Sequence, residues 1–327
     1  MSNLDQLPQE AICGGDPSAG PATDLLPGAE VAIGTRGLRV TRTLPSRTRR
    51  MVGAWCFLDH FGPAELATSG GMGIPPHPHT GLQTVSWLVR GDMLHRDSLG
   101  SEQRIRPGQL NLMTAGRAIA HSEESPEDAD PWVHGVQLWV ALPAEHRHTD
   151  PGFAHHADLP VITGGGAETT VFMGSLAGLT SPARAFSPLV GAEIRLAPGA
   201  ETELPLRTDF EHAALALTGT AEVAGTAEVA GTALSGGPLL YLGTGRESLR
   251  LTSEGGARLL LLGGEPFAEE IVMWWNFVGR SHDEIVADRT EWMDGDRFGV
   301  VRGYDGPPLP APPMPATRLR PRGREPR

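Results

Sequence analysis

The regular spacing of turn signals is the feature that most restricts what this 327-residue sequence can fold into. From about Leu38 onward, short apolar runs such as "TVSWLV" alternate with Gly- and Pro-containing turns. Turns at intervals of about 8–12 residues between short strands are typical of a β-sandwich or β-barrel. A second series of such runs, from "TTVFMGSL" to "ARLLLLGG", follows the first. The sequence therefore predicts a β-dominated protein.

Changes in composition along the chain predict the domain boundaries. We expect a flexible N-terminal lead over residues 1–30, a first β domain over 31–145, a linker over 146–165 and a second β domain over 166–297. Within the second domain, the hexapeptide TAEVAG occurs twice in tandem over residues 220–231. We interpret this as a local duplication that lengthens a hairpin, since two copies do not make a solenoid.

The C-terminal region carries the clearest helix signal. Ser281 followed three residues later by Glu284 forms a capping box, and Gly295 follows the apolar stripe. We therefore expect an amphipathic helix at about 281–294. The tail over residues 298–327 is rich in Pro and Arg, and we expect it to be disordered.

Charge and cysteine content exclude several classes of function. The net charge is −12 and all 27 basic residues are Arg, so Schiff-base lysines and the P-loop lysine are absent. Direct binding to nucleic acid is not expected of so acidic a chain. Two cysteines, Cys13 and Cys56, cannot form a disulfide framework or a cysteine-based zinc site. Neither a signal peptide nor a membrane-length apolar run is visible, and we expect a cytoplasmic protein.

The histidines point to a metal site in the first domain. Ten of the twelve lie between residues 60 and 156. Two pairs have i, i+2 spacing, His77 with His79 and His121 with Glu123, and residues two apart on a strand face the same side. Three imidazoles and one carboxylate suit divalent Fe, Mn, Ni, Cu or Zn. The alternative is that the first pair is solvated on the surface and the second lies in an acidic loop.

Several long segments resemble the pirin family of bicupins, over roughly residues 38–295. The segments are "RTLPSRTRRMVGAWCFLDHFGP", the stretch from "HPHTGLQTVSW" to "AHSEESPE", "WVHGVQLWVALP" and "GGEPFAEEIVMWWNFVGRSHDEI". The resemblance implies an all-β fold of two cupin (jelly-roll) β-barrel domains in one chain, with a C-terminal α-helix. It also implies a non-haem Fe(II) in the N-terminal cupin and a metal-free C-terminal cupin, which fits the single histidine, His212, in the second β series, with His282 on the predicted helix.

Carried over residue by residue, the pirin metal ligands fall on His77, His79, His121 and Glu123. Fe(II) is the metal that the resemblance implies, and Zn, Mn, Ni or Cu also fit these ligands. The family association implies a quercetin 2,3-dioxygenase acting on a flavonol-like enol, with Glu123 as the catalytic base. The alternative is a non-catalytic iron- or redox-sensing protein that regulates a transcription factor or a metabolic enzyme. We expect a monomer that does not bind membranes.

The sequence departs from the usual pirin pattern next to the ligands. Gln83 stands where most pirins have Glu, and Thr80 stands where Arg is common. Both changes alter the charge of the predicted pocket while sparing the ligands, which favours the sensor over the catalyst.

Four further residues are candidates for contacts around the metal, namely Gln83, His95, His60 and Met113. His95 shares strand parity with Asp97 and either orients a ligand or lies on a surface strand. His60 lies in an apolar run, and a structural role is the better interpretation for it.

Overall fold

The computed structural model describes residues 23–69, 71–224 and 232–324. It consists of two cupin barrels and a C-terminal helix, which confirms the predicted all-β fold class. Most of the predicted N-terminal lead and the second TAEVAG copy lie outside the described residues. In the described parts of the chain, no helix is long and apolar enough to cross a membrane.

The first barrel is formed by two antiparallel sheets. The elements of this half are β1 (Asp24–Leu26), β2 (Ala29–Ile33), β3 (Leu38–Leu44), β4 (Trp55–Glu65), α1 (Leu66–Ser69), β5 (Gly73–His79), β6 (Leu82–Arg90), β7 (Met93–Asp97), β8 (Glu102–Ile105), β9 (Leu110–Thr114), β10 (Ile119–Glu124), β11 (Trp132–Ala141) and β12 (Gly152–His156). One sheet has the order β12-β9-β6-β11-β4-β3-β2 and the other the order β5-β10-β7-β8. Strand β1 is the exception, because it pairs with the second barrel.

The second barrel is an eleven-stranded sheet that repeats the antiparallel pattern. Its further strands are β13 (Val161–Gly164), β14 (Ala167–Leu176), β15 (Leu179–Thr180), β16 (Leu189–Leu196), β17 (Ala200–Pro205), β18 (Glu211–Ala224), β19 (Thr232–Ser235), β20 (Leu239–Gly243), β21 (Ser248–Ser253) and β22 (Ala257–Gly264). The main path is β1-β20-β18-β22-β16-β14-β13. The hairpin of β18 and β19 is the one that carries the first TAEVAG copy.

The two barrels share a continuous apolar core. Trp87 on β6 stacks on Phe172 on β14, with ring centroids 4.9 Å apart, and its indole N–H donates to the Glu193 carboxylate at 2.7 Å. The Trp55 indole likewise donates to the main-chain carbonyl of Val190 at 3.1 Å. These two buried indole N–H groups therefore have acceptors on the opposite barrel, which helps to fix how the barrels meet.

The C-terminal segment crosses back from the second barrel to the first. It contains β23 (Val272–Trp274), β24 (Phe277–Gly279) and α2 (His282–Asp294). Ser281 caps the helix by accepting a hydrogen bond from the Glu284 amide at 3.2 Å, and Gly295 ends it, so the predicted helix is confirmed. Trp275 and Phe277 pack with Ala120 of the first barrel.

The expectation of a disordered tail is wrong as far as residue 324, where the described chain ends. The Leu309 amide donates to the carbonyl of Pro76 on β5 at 2.8 Å, and the Leu309 carbonyl accepts from the Trp292 indole at 2.8 Å. Further along, Arg322 pairs with Ile271. Composition predicted disorder because the tail is rich in Pro and Arg, but an irregular backbone can still be held by neighbouring strands and a helix.

The predicted linker also contains regular structure. Strand β12 extends the first barrel next to β9, and β13 extends the second barrel next to β14. These polar edge strands escaped detection because main-chain pairing at a sheet edge does not require an alternating apolar pattern. The exact domain boundaries remain predictions.

Candidate metal centre

Strands β5 and β10 bring three histidines together inside the first barrel. His77 and His79 lie two residues apart on β5, and the antiparallel register places His121 of β10 opposite His77. All three side chains are fully buried, and one ring nitrogen of each lies within 4.8 Å of one from each of the others. The i, i+2 spacing therefore does position two imidazoles on the interior face, as the sequence indicated.

The hydrogen bonds of the rings determine which nitrogen is available. His77 donates from Nδ1 to the Pro75 carbonyl at 2.9 Å, and His79 donates from Nδ1 to the Asn276 carbonyl at 3.0 Å. A carbonyl only accepts, so each Nδ1 carries the proton and each Nε2 carries a lone pair. The Nε2 atoms of His77, His79 and His121 are all buried, without a hydrogen-bond partner among the described residues.

His121 is held by a side chain rather than by a carbonyl. Its Nδ1 lies 3.3 Å from Nδ1 of His95, and Nε2 of His95 lies 3.1 Å from the Asp97 carboxylate. Because a carboxylate only accepts, His95 carries a proton on Nε2, and its Nδ1 is the acceptor for a His121 that keeps its own Nε2 free for a ligand. His121 then donates from Nδ1, which leaves its Nε2 lone pair directed away from the bond.

Burial determines the protonation states of the cluster. Desolvation lowers the pKa of His77, His79 and His121 well below the ordinary histidine value, so all three are neutral at pH 7. Burial raises the pKa of Asp97, but hydrogen bonds from His95 and Ser101 outweigh it and hold that pKa below its usual value. The cluster thus consists of neutral ligands supported by a carboxylate.

Glu123 lies two residues after His121 on β10, and it is fully buried. Strand β10 pairs with β7 so that Glu123 is opposite His95 and His121 is opposite Asp97, which places the four side chains on one face. On the other side of β10 the register with β5 shifts between His121 and Glu123. The carboxylate is not in the group of ligand atoms within 4.8 Å, so its role as fourth ligand remains a prediction.

Gln83 does not point toward the three histidines. Its side-chain amide donates to the Thr114 hydroxyl at 3.0 Å and to the carbonyl of Arg184, beyond β15, at 3.1 Å. Gln83 and Trp87 lie four residues apart on β6, so their side chains face the same side of the sheet, and Trp87 contacts the second barrel. Met113, paired with Thr84, lies on the opposite face and is buried in the shared core. Of these two candidates, only Met113 lies on the sheet face that lines the interior of the first barrel.

His60 pairs with His134 rather than with the metal cluster. Their Nε2 atoms are 2.8 Å apart, and both rings are buried. Desolvation lowers the pKa of each to about 4, with a smaller contribution from His134 on His60 and from Arg258 on His134. This supports the structural interpretation of His60.

Several residues around the cluster were not anticipated from the sequence. The Asn276 carbonyl, 197 positions after His79, orients that ligand, and Trp275 beside it has a positive φ of 53°. A backbone acceptor has no side-chain signal that could have revealed it. Phe153, from the predicted linker, stacks on the His95 ring at 4.4 Å.

The segment after His79 ties the ligand strand to the C-terminal segment. The Thr80 hydroxyl donates to the Asp288 carboxylate of α2 at 2.8 Å, and the Val278 amide donates to the Thr80 carbonyl. Gly81 has φ of 70°, and a Cβ there would lie 2.0 Å from the Val278 carbonyl oxygen, so only glycine fits. Thr80 therefore has a structural partner on α2.

The donor set fits a divalent transition metal. Three buried imidazole lone pairs converge, and leaving them unbound is unfavourable because buried polar atoms normally have a partner. Imidazole suits Fe, Ni, Cu and Zn, and three protein ligands leave positions open for exogenous ligands. The first barrel therefore has a three-histidine site able to bind a metal.

Comparison with family models gives two matches in succession. Residues 37–140 match the model described as "Pirin", and residues 191–299 match the model described as "Pirin C-terminal cupin domain". The first range contains all three histidines of the cluster, and the second contains the hairpin that contacts His79.

Individual relatives are similar over most of their length. The chain is 50% identical to "Putative quercetin 2,3-dioxygenase PA1205" of Pseudomonas aeruginosa, over 85% of this chain and 87% of the relative. It is 36% identical to a "Pirin-like protein" of Caulobacter vibrioides, over 78% and 88%. Among solved structures, quercetin 2,3-dioxygenase from Acinetobacter baumannii matches with a TM-score of 0.85 and 42% identity, covering 91% of this chain and 97% of that one.

Proposed function

The chain belongs to the pirin family, and on that premise we propose that it is a metal-dependent dioxygenase, of the quercetin 2,3-dioxygenase type, acting on a flavonol-like enol. One observation carries the proposal. Three fully buried imidazoles present unpartnered Nε2 atoms to one another inside the first barrel. The names of the relatives in Pseudomonas and Acinetobacter support the choice of reaction.

His77, His79 and His121 would hold the metal through Nε2, with Glu123 as the proposed fourth ligand. Fe(II) is the proposed ion, and when bound it would supply Lewis acidity and a site for O₂. Three neutral imidazoles and one carboxylate leave a divalent ion with a net charge of +1. The cluster therefore favours the deprotonated, anionic form of an enol substrate over the neutral form.

Glu123 is the proposed general base. It shares the interior face with His121 and is buried, so a substrate hydroxyl at the cluster would meet a carboxylate shielded from water. In the proposed step the O–H bond of the substrate breaks, its proton passes to a Glu123 oxygen and the electron pair stays on the substrate oxygen. The Nδ1 hydrogen bonds of His77 and His79 hold those two rings in one orientation.

The proposal is tested by loading the full chain with Fe(II) under anaerobic conditions and then adding quercetin and O₂. We expect ring-cleaved product with carbon monoxide released in proportion. Absence of both from protein that holds one equivalent of iron would contradict the proposed reaction.

The base is tested with Glu123→Gln, which keeps the shape and removes the charge. We expect iron to be retained by the three histidines and the rate of quercetin turnover to fall by about 10²–10⁴-fold. Steady-state kinetics together with iron analysis would measure both quantities. An unchanged rate at full iron content would exclude Glu123 as the base.

A second candidate function is a non-catalytic iron- or redox-sensing protein that regulates a partner. The contacts of His79 with Asn276 and of Thr80 with Asp288 favour it, since they link the ligand strand to the C-terminal helix. A change at the metal would then reach the surface of α2. Pull-downs with the iron-loaded chain and with His79→Ala distinguish this function, because identical partners in both would contradict it.

A further inference from the structure

The three imidazoles of the cluster are not equivalent. His77 and His79 donate from Nδ1 to main-chain carbonyls, which carry no formal charge. His121 donates to the imidazole of His95, which in turn donates to the carboxylate of Asp97. Only His121 is therefore connected through hydrogen bonds to a formal negative charge, among the contacts of the described residues.

Asp97 is held rigidly at the end of this chain. Its Oδ1 accepts from the amides of Leu99 at 2.9 Å and Ser101 at 3.0 Å, while Oδ2 faces Nε2 of His95. The carboxylate is 1% exposed, so its charge is little screened by water. The turn "DSLGS" that follows β7 thus serves to aim one carboxylate oxygen at His95.

His95 is equally restricted. Its ring stacks on Phe153 with centroids 4.4 Å apart and planes 15° from parallel, and it is 3% exposed. Both ring nitrogens are used, one toward Asp97 and the other toward His121. A ring flip would exchange a donor for an acceptor at both ends, so the network allows one tautomer.

We infer that Asp97 and His95 form a positioning relay for His121, making it the most electron-donating of the three imidazoles. The carboxylate polarises His95, and His95 polarises the Nδ1–H bond of His121, which raises the basicity of its Nε2. A more basic imidazole binds a metal ion more tightly and stabilises the ferric over the ferrous state. Neither residue belongs to the three-histidine group, so each would act only through His121.

This inference rests on the proposed metal binding, and it predicts a measurable change in two properties. The first is metal affinity, since removal of partners behind a ligand costs about 10–100-fold. The second is the preference of bound iron for its ferric state. A tenfold loss of that preference corresponds to a rise of about 59 mV in the reduction potential of a one-electron couple.

The main test is Asp97→Asn in the full chain, which keeps the size of the side chain and removes its charge. We expect at least about tenfold weaker Fe(II) binding in a chelator competition and a higher Fe(III)/Fe(II) potential in spectroelectrochemistry. Asp92→Asn is the matched control, because Asp92 pairs with Arg104 in the same barrel and contacts no histidine among the residues that the structure describes. We expect it to leave both properties unchanged.

The outcomes separate this inference from the proposed function. If the wild-type chain binds no metal, both fail. If it binds one equivalent and Asp97→Asn behaves like Asp92→Asn, the relay is wrong and the metal site stands. Should Asp97→Asn not fold, His95→Leu carries the test, since it leaves His121 without its acceptor, and an unchanged potential in that variant would overturn the relay.

Discussion

The two barrels share one antiparallel architecture but bury different chemistry. In the first, strands β5 and β10 turn His77, His79 and His121 inward. In the second, the corresponding interior is apolar and includes Ala214 and Leu261. An interior of alanine and leucine is stable without a bound ligand, whereas converging imidazole lone pairs are stabilised by an ion. The same scaffold is thus a packed core in one half and a binding site in the other.

His212 shows how small the difference between the barrels is. It is buried on β18, and its Nδ1 has no hydrogen-bond partner among the described residues, as with the unpartnered atoms of the first barrel. It has no second histidine beside it, because the described part of the second barrel contains no other. A single imidazole does not make a metal site, so the two barrels differ in the number of histidines that face the interior.

The largest expected effect comes from removing a ligand. We expect His79→Ala to reduce bound metal from about one equivalent to nearly none, because two imidazoles remain where three converged. His212→Ala, the equivalent change in the second barrel, should leave the metal content unchanged. Elemental analysis of both purified variants measures this, and metal loss in His212→Ala would show that the barrels are not functionally distinct.

The next effect is the response of each barrel to acid. Burial lowers the pKa of His60, His134 and His212 to about 4, below the unfolded value near 6.5. The unfolded chain therefore binds more protons between pH 6.5 and 4, so stability falls as the pH falls through this window. For each histidine of the pair in the first barrel we expect a loss on the order of 3 kcal/mol.

This acid response is measured by urea unfolding of the metal-free chain from pH 7 to pH 4. A double variant, His60→Gln with His134→Gln, should have a shallower dependence of the free energy of unfolding on pH than wild type. His212→Gln should reduce the slope by a smaller amount, since it removes one group rather than two. Parallel curves for all three proteins would contradict the assignment of these histidines as buried neutral groups.

The smallest effect concerns Gln83, between the barrels. Gln83→Glu restores the residue usual in pirins but replaces an amide donor with a carboxylate that would face the Arg184 carbonyl. We expect a loss of about 1–3 kcal/mol in unfolding free energy with metal content unchanged. Denaturant unfolding and metal analysis measure the two quantities, and Gln83→Leu serves as the uncharged control. A change in metal content would show that Gln83 does contribute to the metal site.

The sequence alone determined the fold class, the terminal helix and the three histidines. Turn spacing and strand periodicity are local properties, and the i, i+2 pair on β5 needed only the alternation of a strand to place both rings on one face. The capping box at Ser281 is also local, and the helix begins where it predicts. The four ligands came from the spacing together with the family resemblance, and three of them converge.

Only the tertiary structure decided what surrounds those ligands. Asn276 reaches His79 across 197 positions through a carbonyl, and Phe153 reaches His95 from a segment that seemed a linker. Gln83 faces the second barrel, although its place in the motif suggested the metal. Such contacts depend on how separate strands meet, and a backbone oxygen or an edge strand leaves no residue-type signal. Sequence periodicity therefore predicts which residues face the interior, whereas long-range packing determines which groups they contact.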